Sequence, residues 1–137
     1  MNELSVLIVI HNEEKQIKEC LERVEFAEEI VVVLDKCTDK SRKIVEKFTK
    51  KIYSGNWSIE GDRRNFGISK CSKEWILEID ADERVSDKLR NEIINIIKFS
   101  EYDWHKIKVK NFLGKKLIEH GWGAYFGKSA YDGLFRN

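Results

Sequence analysis

A chain of 137 residues with 42% hydrophobic and 36% charged side chains has room for one packed domain, and it is too apolar to stay disordered. It holds no apolar run near the roughly 20 residues that span a bilayer, and its start, Met1-Asn2-Glu3, lacks the basic and apolar regions of a secretory leader. With 25 Lys and Arg against 24 Asp and Glu the net charge is +1, and no nucleic-acid partner is expected.

In chain order, Leu4 to Ile10 is a near-continuous β-branched run, as expected for a strand covered on both faces. Asn12 reads as a helix N-cap, and Ile17, Cys20, Leu21 and Val24 then recur at helical spacing, giving a helix with one buried stripe. Ile30 to Leu34 reads as a second strand and Asp35 to Asp39 as a polar turn. The helix after it places Ile44, Val45 and Phe48 on one face. Ile52-Tyr53 is expected as a short third strand, Gly55 to Gly61 as a loop, and Asp62 to Cys71 as a helix weakened by Gly67. Trp75 to Ile79 is the next strand. Asp80 to Arg84 follows as a polar run, and Ser86 caps a helix to about Phe99 that buries Leu89, Ile93, Ile96 and Ile97.

After Asp103 the period becomes two: His105, Ile107 and Val109 alternate with Lys106, Lys108 and Lys110, a half-buried strand whose lysines guard an edge. Gly114 suggests a turn into Lys115 to Ile118. Glu119 to Asn137, rich in glycine and aromatic residues, is assigned no regular structure. Residues 104–137 hold seven basic and two acidic side chains and seven of the fifteen aromatics, a basic aromatic tail suited to an anionic partner, a sugar or a membrane surface. Cys20, Cys37 and Cys71 form no C-x-x-C pair, which argues against a disulfide framework or a zinc site and fits a reducing cytosol.

Short apolar strands alternating with amphipathic helices imply an α/β fold with a mostly parallel sheet and helices on both faces. In such sheets ligands bind beyond the carboxyl ends of the strands, where strand order reverses. Three strands end there in polar groups: His11-Asn12-Glu13, Asp35, and Asp80-x-Asp82. Paired carboxylates beyond a strand end can offer hard oxygen ligands to Mg²⁺ or Mn²⁺, although an ordinary solvated turn explains most such triplets taken alone.

The ordered motifs Leu4-Ser-Val-Leu-Ile-Val-Ile-His-Asn-Glu13, Ile30-Val-Val-Val-Leu-Asp35-Lys-Cys-Thr-Asp39, Arg64-Asn65 and Trp75-Ile-Leu-Glu-Ile-Asp80-Ala-Asp82-Glu83 resemble the family-2 inverting glycosyltransferases of GT-A fold. Within that family the Asp-Ala-Asp-Glu-Arg run and the later Phe-Leu-Gly, His-Gly-Trp and Leu-Phe-Arg are most similar to the lipopolysaccharide core subgroup. The resemblance implies a single GT-A-like domain. Residues 1–103 would form its nucleotide-sugar-binding core, and residues 104–137 the start of a truncated acceptor-side region.

It also implies residue roles. Asp35 would accept a hydrogen bond from the donor's pyrimidine, Val9 and His11 would contact the base, and Arg64 would face the ribose-diphosphate. Asp80 would help hold ribose and metal, Ala81 lies within the donor-binding run, and Asp82 would be the direct ligand of Mg²⁺ or Mn²⁺. An alternative partner for Arg64 is a neighbouring acid such as Asp62.

The sequence departs from the family in several places. The usual proline and tyrosine before Asn-Glu are missing, and His11 stands where an aromatic ring usually stacks on the base; Leu34 replaces a common first aspartate; the stretch from Trp122 to Leu134 is longer than in the subgroup, and Gly133 stands where the subgroup has arginine. The later acidic residue that serves as general base has no counterpart: Glu101, Asp103, Glu119, His120 and Asp132 follow the metal motif in unmatched contexts.

The expected function is transfer of a sugar, with inversion, from a nucleotide-diphosphate donor such as a UDP-sugar to a glycolipid or lipopolysaccharide-type acceptor. The expected place is the cytoplasm, peripheral to the inner membrane face. The alternative is a non-catalytic nucleotide-sugar-binding module. A nucleotidyltransferase also fits paired carboxylates on an α/β fold, but the chain lacks a glycine- and lysine-rich phosphate loop after its first strand.

Overall fold

The computed structural model describes residues 3–113, 116–118 and 130–137. Four strands, β1 (Leu4–Ile10), β2 (Glu29–Asp35), β3 (Lys51–Gly55) and β4 (Trp75–Ile79), are parallel. Two more, β5 (Trp104–Lys108) and β8 (Ala130–Arg136), complete a six-stranded sheet in the order β3-β2-β1-β4-β8-β5, with β8 antiparallel to both of its neighbours. The short strands β6 (Asn111–Leu113) and β7 (Lys116–Ile118) pair separately as an antiparallel hairpin. The expected turn residues Gly114 and Lys115 lie outside the described residues. The architecture is the mostly parallel α/β sheet that the alternation of elements implies.

The continuous apolar runs of β1 and β2 exist because both faces of the sheet are covered. On one face Leu4, Val6, Ile8, Ile10, Val32, Trp75 and Leu77 form the main core with α1 (Ile17–Glu22), α2 (Ser41–Val45) and α4 (Asp87–Phe99). On the other, Leu7, Val31, Val33 and Ile76 pack under α3 (Glu60–Ile68), with Phe66 and Ile68 against them. Gly67, expected to weaken α3, instead seats it: a Cβ there would lie 2.6 Å from Leu7 Cδ1 and 3.2 Å from Val33 Cγ2, so only glycine lets the helix backbone come this close. α4 begins as expected, Ser86 Oγ accepting from the Leu89 amide at 3.1 Å.

Three expectations are corrected. Asn12 caps no helix: α1 starts at Ile17 after Gln16, and Asn12 adopts φ 49°, the left-handed conformation that asparagine tolerates best among residues with a side chain. Its Oδ1 instead accepts from the amides of Thr38 (2.7 Å) and Asp39 (3.2 Å), tying the loop after β1 to the loop after β2. Val24 follows the end of α1 while remaining buried. Finally, the tail assigned no regular structure contributes β8. The register between β5 and β8 shifts at His105/Lys106, where Leu134 and Asp132 are paired and Gly133 is passed over, a bulge that hides the strand's alternation. β5 is the outer strand, and Lys106 and Lys108 stand exposed on it, as an edge guard requires.

Candidate functional site

β2 and β4 flank β1, so the carboxyl ends of these three strands share one rim where strand order reverses. Ile10 pairs with Leu34, which brings His11 level with Asp35, and Ile8 pairs with Ile79, which brings Val9 level with Asp80. The β1–β4 register ends at Ile8, so Val9 and His11 lie beyond the last paired position on that side.

Asp35 closes β2 and is only 4% exposed. Its Oδ1 accepts from the Trp57 amide at 3.1 Å, its Oδ2 from Arg63 Nη1 at 2.9 Å, and its carbonyl lies 2.9 Å from His11 Nδ1. Burial pushes the carboxyl up, but the Trp57 N–H, the Arg63 guanidinium and Lys36 together outweigh it and hold the group below the usual carboxylate range. Because a carbonyl can only accept, His11 donates from Nδ1.

The loops around Asp35 are cross-tied. Asp39 accepts from the Glu14 amide at 3.0 Å and the Ser41 amide at 2.9 Å, and Ser41 Oγ accepts from the Glu13 amide at 3.0 Å. Cys37 sits in this turn, its thiol pushed up by burial; Cys20 and Cys71, deeper still, are pushed up to about 12 and stay protonated.

The run after β4 is a tight turn in which the Glu83 amide donates to the Asp80 carbonyl at 3.0 Å. Ala81 is buried in the main core, while Asp80 and Asp82 are exposed and Glu83 half-buried. Oxygens of Asp80, Asp82 and Glu83 come within 4.8 Å of one another. Three hard donors at that spacing fit Mg²⁺ or Mn²⁺ in the chemistry of the donor set. The turn is braced from three sides. Arg84 donates to the carbonyls of Ala81 (2.8 Å) and Gln16 (3.2 Å), Cys20 Sγ lies 3.5 Å from the Asp80 carbonyl, and Tyr131 Oη lies 2.9 Å from Glu83 Oε2.

Arg64 pairs through Nε with Glu78 of β4 at 2.6 Å, which keeps its guanidinium firmly protonated; Asp62 is not the partner, and Asp80 adds to the same negative field. Sequence reasoning named Arg64 and missed Arg63, Trp57, Glu83, Arg84 and Tyr131. The acidic run offered a signal for Glu83. Nothing in an Arg-Arg pair says which side chain turns to which strand.

Among the described acidic residues after this turn, Glu101, Asp103 and Asp132 are all exposed, and Asp103 pairs with Arg136 at 3.3 Å; Glu119 and His120 lie outside the described residues. Two hollows lie away from the rim. One of about 600 Å³ is at the opposite end of the sheet beside Glu28, Glu29 and Lys51, and one of about 550 Å³ lies beside Tyr102 and Trp104.

The model of glycosyl transferase family 2 matches residues 5–133. An uncharacterized glycosyltransferase of Rickettsia typhi is 32% identical over 94 residues, covering 68% of this chain and 32% of that protein. The lipopolysaccharide core biosynthesis glycosyltransferase LpsC of Rhizobium meliloti is 25% identical over 152 residues, covering 96% and 56%. Among solved structures, residues 1–349 of Staphylococcus aureus TarS in complex with UDP-GlcNAc superpose with TM-score 0.68 at 25% identity, covering 85% of this chain and 37% of that one. The chain therefore spans between about a third and just over half of these relatives.

Proposed function

The chain belongs to glycosyl transferase family 2, and from that premise we propose that the rim at the ends of β1, β2 and β4 binds a nucleoside diphosphate sugar, most simply a UDP-sugar, for transfer to an acceptor hydroxyl. The observation that carries this reading is the triad of carboxylates on Asp80, Asp82 and Glu83 in the turn after β4, with only β1 between that strand and β2, which Asp35 closes. The UDP-GlcNAc complex of TarS supports the choice of nucleotide.

In this reading the buried, ionised Asp35 accepts the N–H of the uracil ring, while the backbone of Val9 and the ring of His11 border the base. Arg64 exchanges Glu78 for the diphosphate, a substitution of one oxyanion for another that a guanidinium fork accommodates. Asp80 and Asp82, with Ala81 fixing the turn between them, would hold Mg²⁺ or Mn²⁺. When bound, the cation supplies neutralisation of the charge that builds on the departing diphosphate. Inverting transfer places the acceptor oxygen on the opposite face of the anomeric carbon, where a base must take its proton.

The acceptor we propose is a glycolipid of the lipopolysaccharide kind, met at the cytoplasmic membrane face; the likeness to the lipopolysaccharide core biosynthesis glycosyltransferase LpsC supports the choice of acceptor class. Exposed Phe99, Tyr102, Trp104 and Phe112 beside Lys98, Lys106, Lys108 and Lys110 support a peripheral contact with anionic lipid. No helix among the described residues is long and apolar enough to cross a membrane. Residues 1–103 then form the donor side, and residues 104–137 lead toward the acceptor.

A second reading, a module that holds the donor without turnover, is favoured by the exposure of Glu101, Asp103 and Asp132 and by the engagement of Asp103 with Arg136. Release of UDP from UDP-sugars, measured with Mn²⁺ in the presence and absence of glycolipid-bearing anionic vesicles, separates the two. Turnover raised by vesicles supports the transferase. Saturable binding without release selects the module.

A further inference from the structure

Arg63 and Arg64 are consecutive residues of α3, pointing about 100° apart around its axis. One helix thereby reaches two strands on either side of β1: Arg63 takes Asp35 at the end of β2, and Arg64 takes Glu78 on β4. The Asp35 carboxylate cannot turn without breaking contacts on both oxygens, because Trp57 holds one and Arg63 the other. Each carboxylate oxygen has two lone pairs, so both keep capacity for a further donor.

We propose that Arg63 is a positioning residue for the donor nucleotide: it fixes the Asp35 carboxylate in one orientation, which selects a base presenting a ring N–H over one presenting a ring acceptor. The inference rests on the reading of Asp35 as the base acceptor. Uracil carries hydrogen on N3 and donates to a carboxylate. Cytosine N3 is itself an acceptor and meets the same carboxylate with lone pair against lone pair. If Asp35 were protonated, this preference would reverse.

Among the described residues, the groups facing Asp35 are Arg63 from α3, the Trp57 amide from the loop after β3, His11 from the loop after β1, and Lys36 and Cys37 from its own turn. Arg63 provides the side-chain hydrogen bond to its carboxylate, and removing it leaves the buried group with burial less opposed. The Arg63 side chain is 27% exposed, so a polar replacement has access to water.

The test is calorimetric titration of UDP and of CDP, each with Mn²⁺, into the whole chain and its R63Q, R63K and D35N variants between pH 5 and 8. R63Q is expected to bind UDP about tenfold more weakly, as loss of a hydrogen bond to a charged group implies. Its preference for UDP over CDP should fall by a similar factor, and the pH below which UDP binding is lost should move upward. R63K should restore the preference. Wild-type affinity and UDP:CDP preference in R63Q, while D35N loses both, would overturn the role of Arg63 and leave Asp35 standing. An unaffected D35N would overturn the reading of Asp35 itself. R63M, which keeps the aliphatic stem, carries the same test if R63Q does not fold.

Discussion

Glu29 carries its charge inside the protein, at the end of the sheet opposite the candidate site, where Ser5, Lys51 and both the amide and hydroxyl of Ser72 converge on its carboxylate. Burial pushes this group up, yet the donors win and hold it at about 2 against an ordinary 4.5. A depressed folded value means stability that is present above pH 4.5 and lost as pH falls toward 2. Melting followed from pH 6 to pH 2 should therefore show a steep acid loss in the wild type. The E29Q variant, less stable at pH 6, should show a shallower one, and parallel curves would remove Glu29 from the account. At this scale the sequence was only partly readable. Asp80, Asp82 and Asp35 stood out because strand ends are where this topology puts polar groups. Glu29 and Arg63 did not, since their importance lies in partners 22 to 43 positions distant.

Among the elements, α3 does the most to shape the rim. Its Gly67 seats it on Leu7 and Val33, and its N-terminal half carries the two arginines that reach β2 and β4. Alanine at position 67 gains up to about 1 kcal/mol of helix propensity. It also drives a methyl against the wholly buried Leu7, and such overpacking costs about 1 to 3 kcal/mol. The clash outweighs the gain, so G67A should melt lower than the wild type, and a raised melting temperature would show that α3 can shift off the sheet. The strands β1, β2 and β4 and the helix α4 were legible because their periodicity is local and their caps and apolar runs are unbroken. β8 was not: its register breaks at Gly133, and what makes it a strand is pairing with Ile76 and Leu77, more than 50 residues earlier. The start of α1 was misread because Asn12 spends its side chain on Thr38 and Asp39.

For the whole molecule, the order β3-β2-β1-β4 sends successive crossovers first to one side of β1 and then to the other, which opens the rim between β2 and β4. The continuation through β8 and β5 adds an antiparallel edge to the same sheet, so residues 104–108 and 130–136 are part of the fold that supports the rim. Family membership was readable from four motifs in order, because their spacing encodes this topology; the acceptor side was not, because Glu101, Asp103 and Asp132 belong to no motif that the sequence shares with the family. The proposed function requires carboxylates from the ends of β2 and β4 to act on one ligand. Calorimetric titration of UDP with and without Mn²⁺ into the wild type and the D82A variant tests this most directly. The wild type should bind UDP at least tenfold more tightly with Mn²⁺, and D82A should lose that increment while keeping its melting temperature. Equal UDP affinity in D82A and wild type in the presence of Mn²⁺ would contradict it.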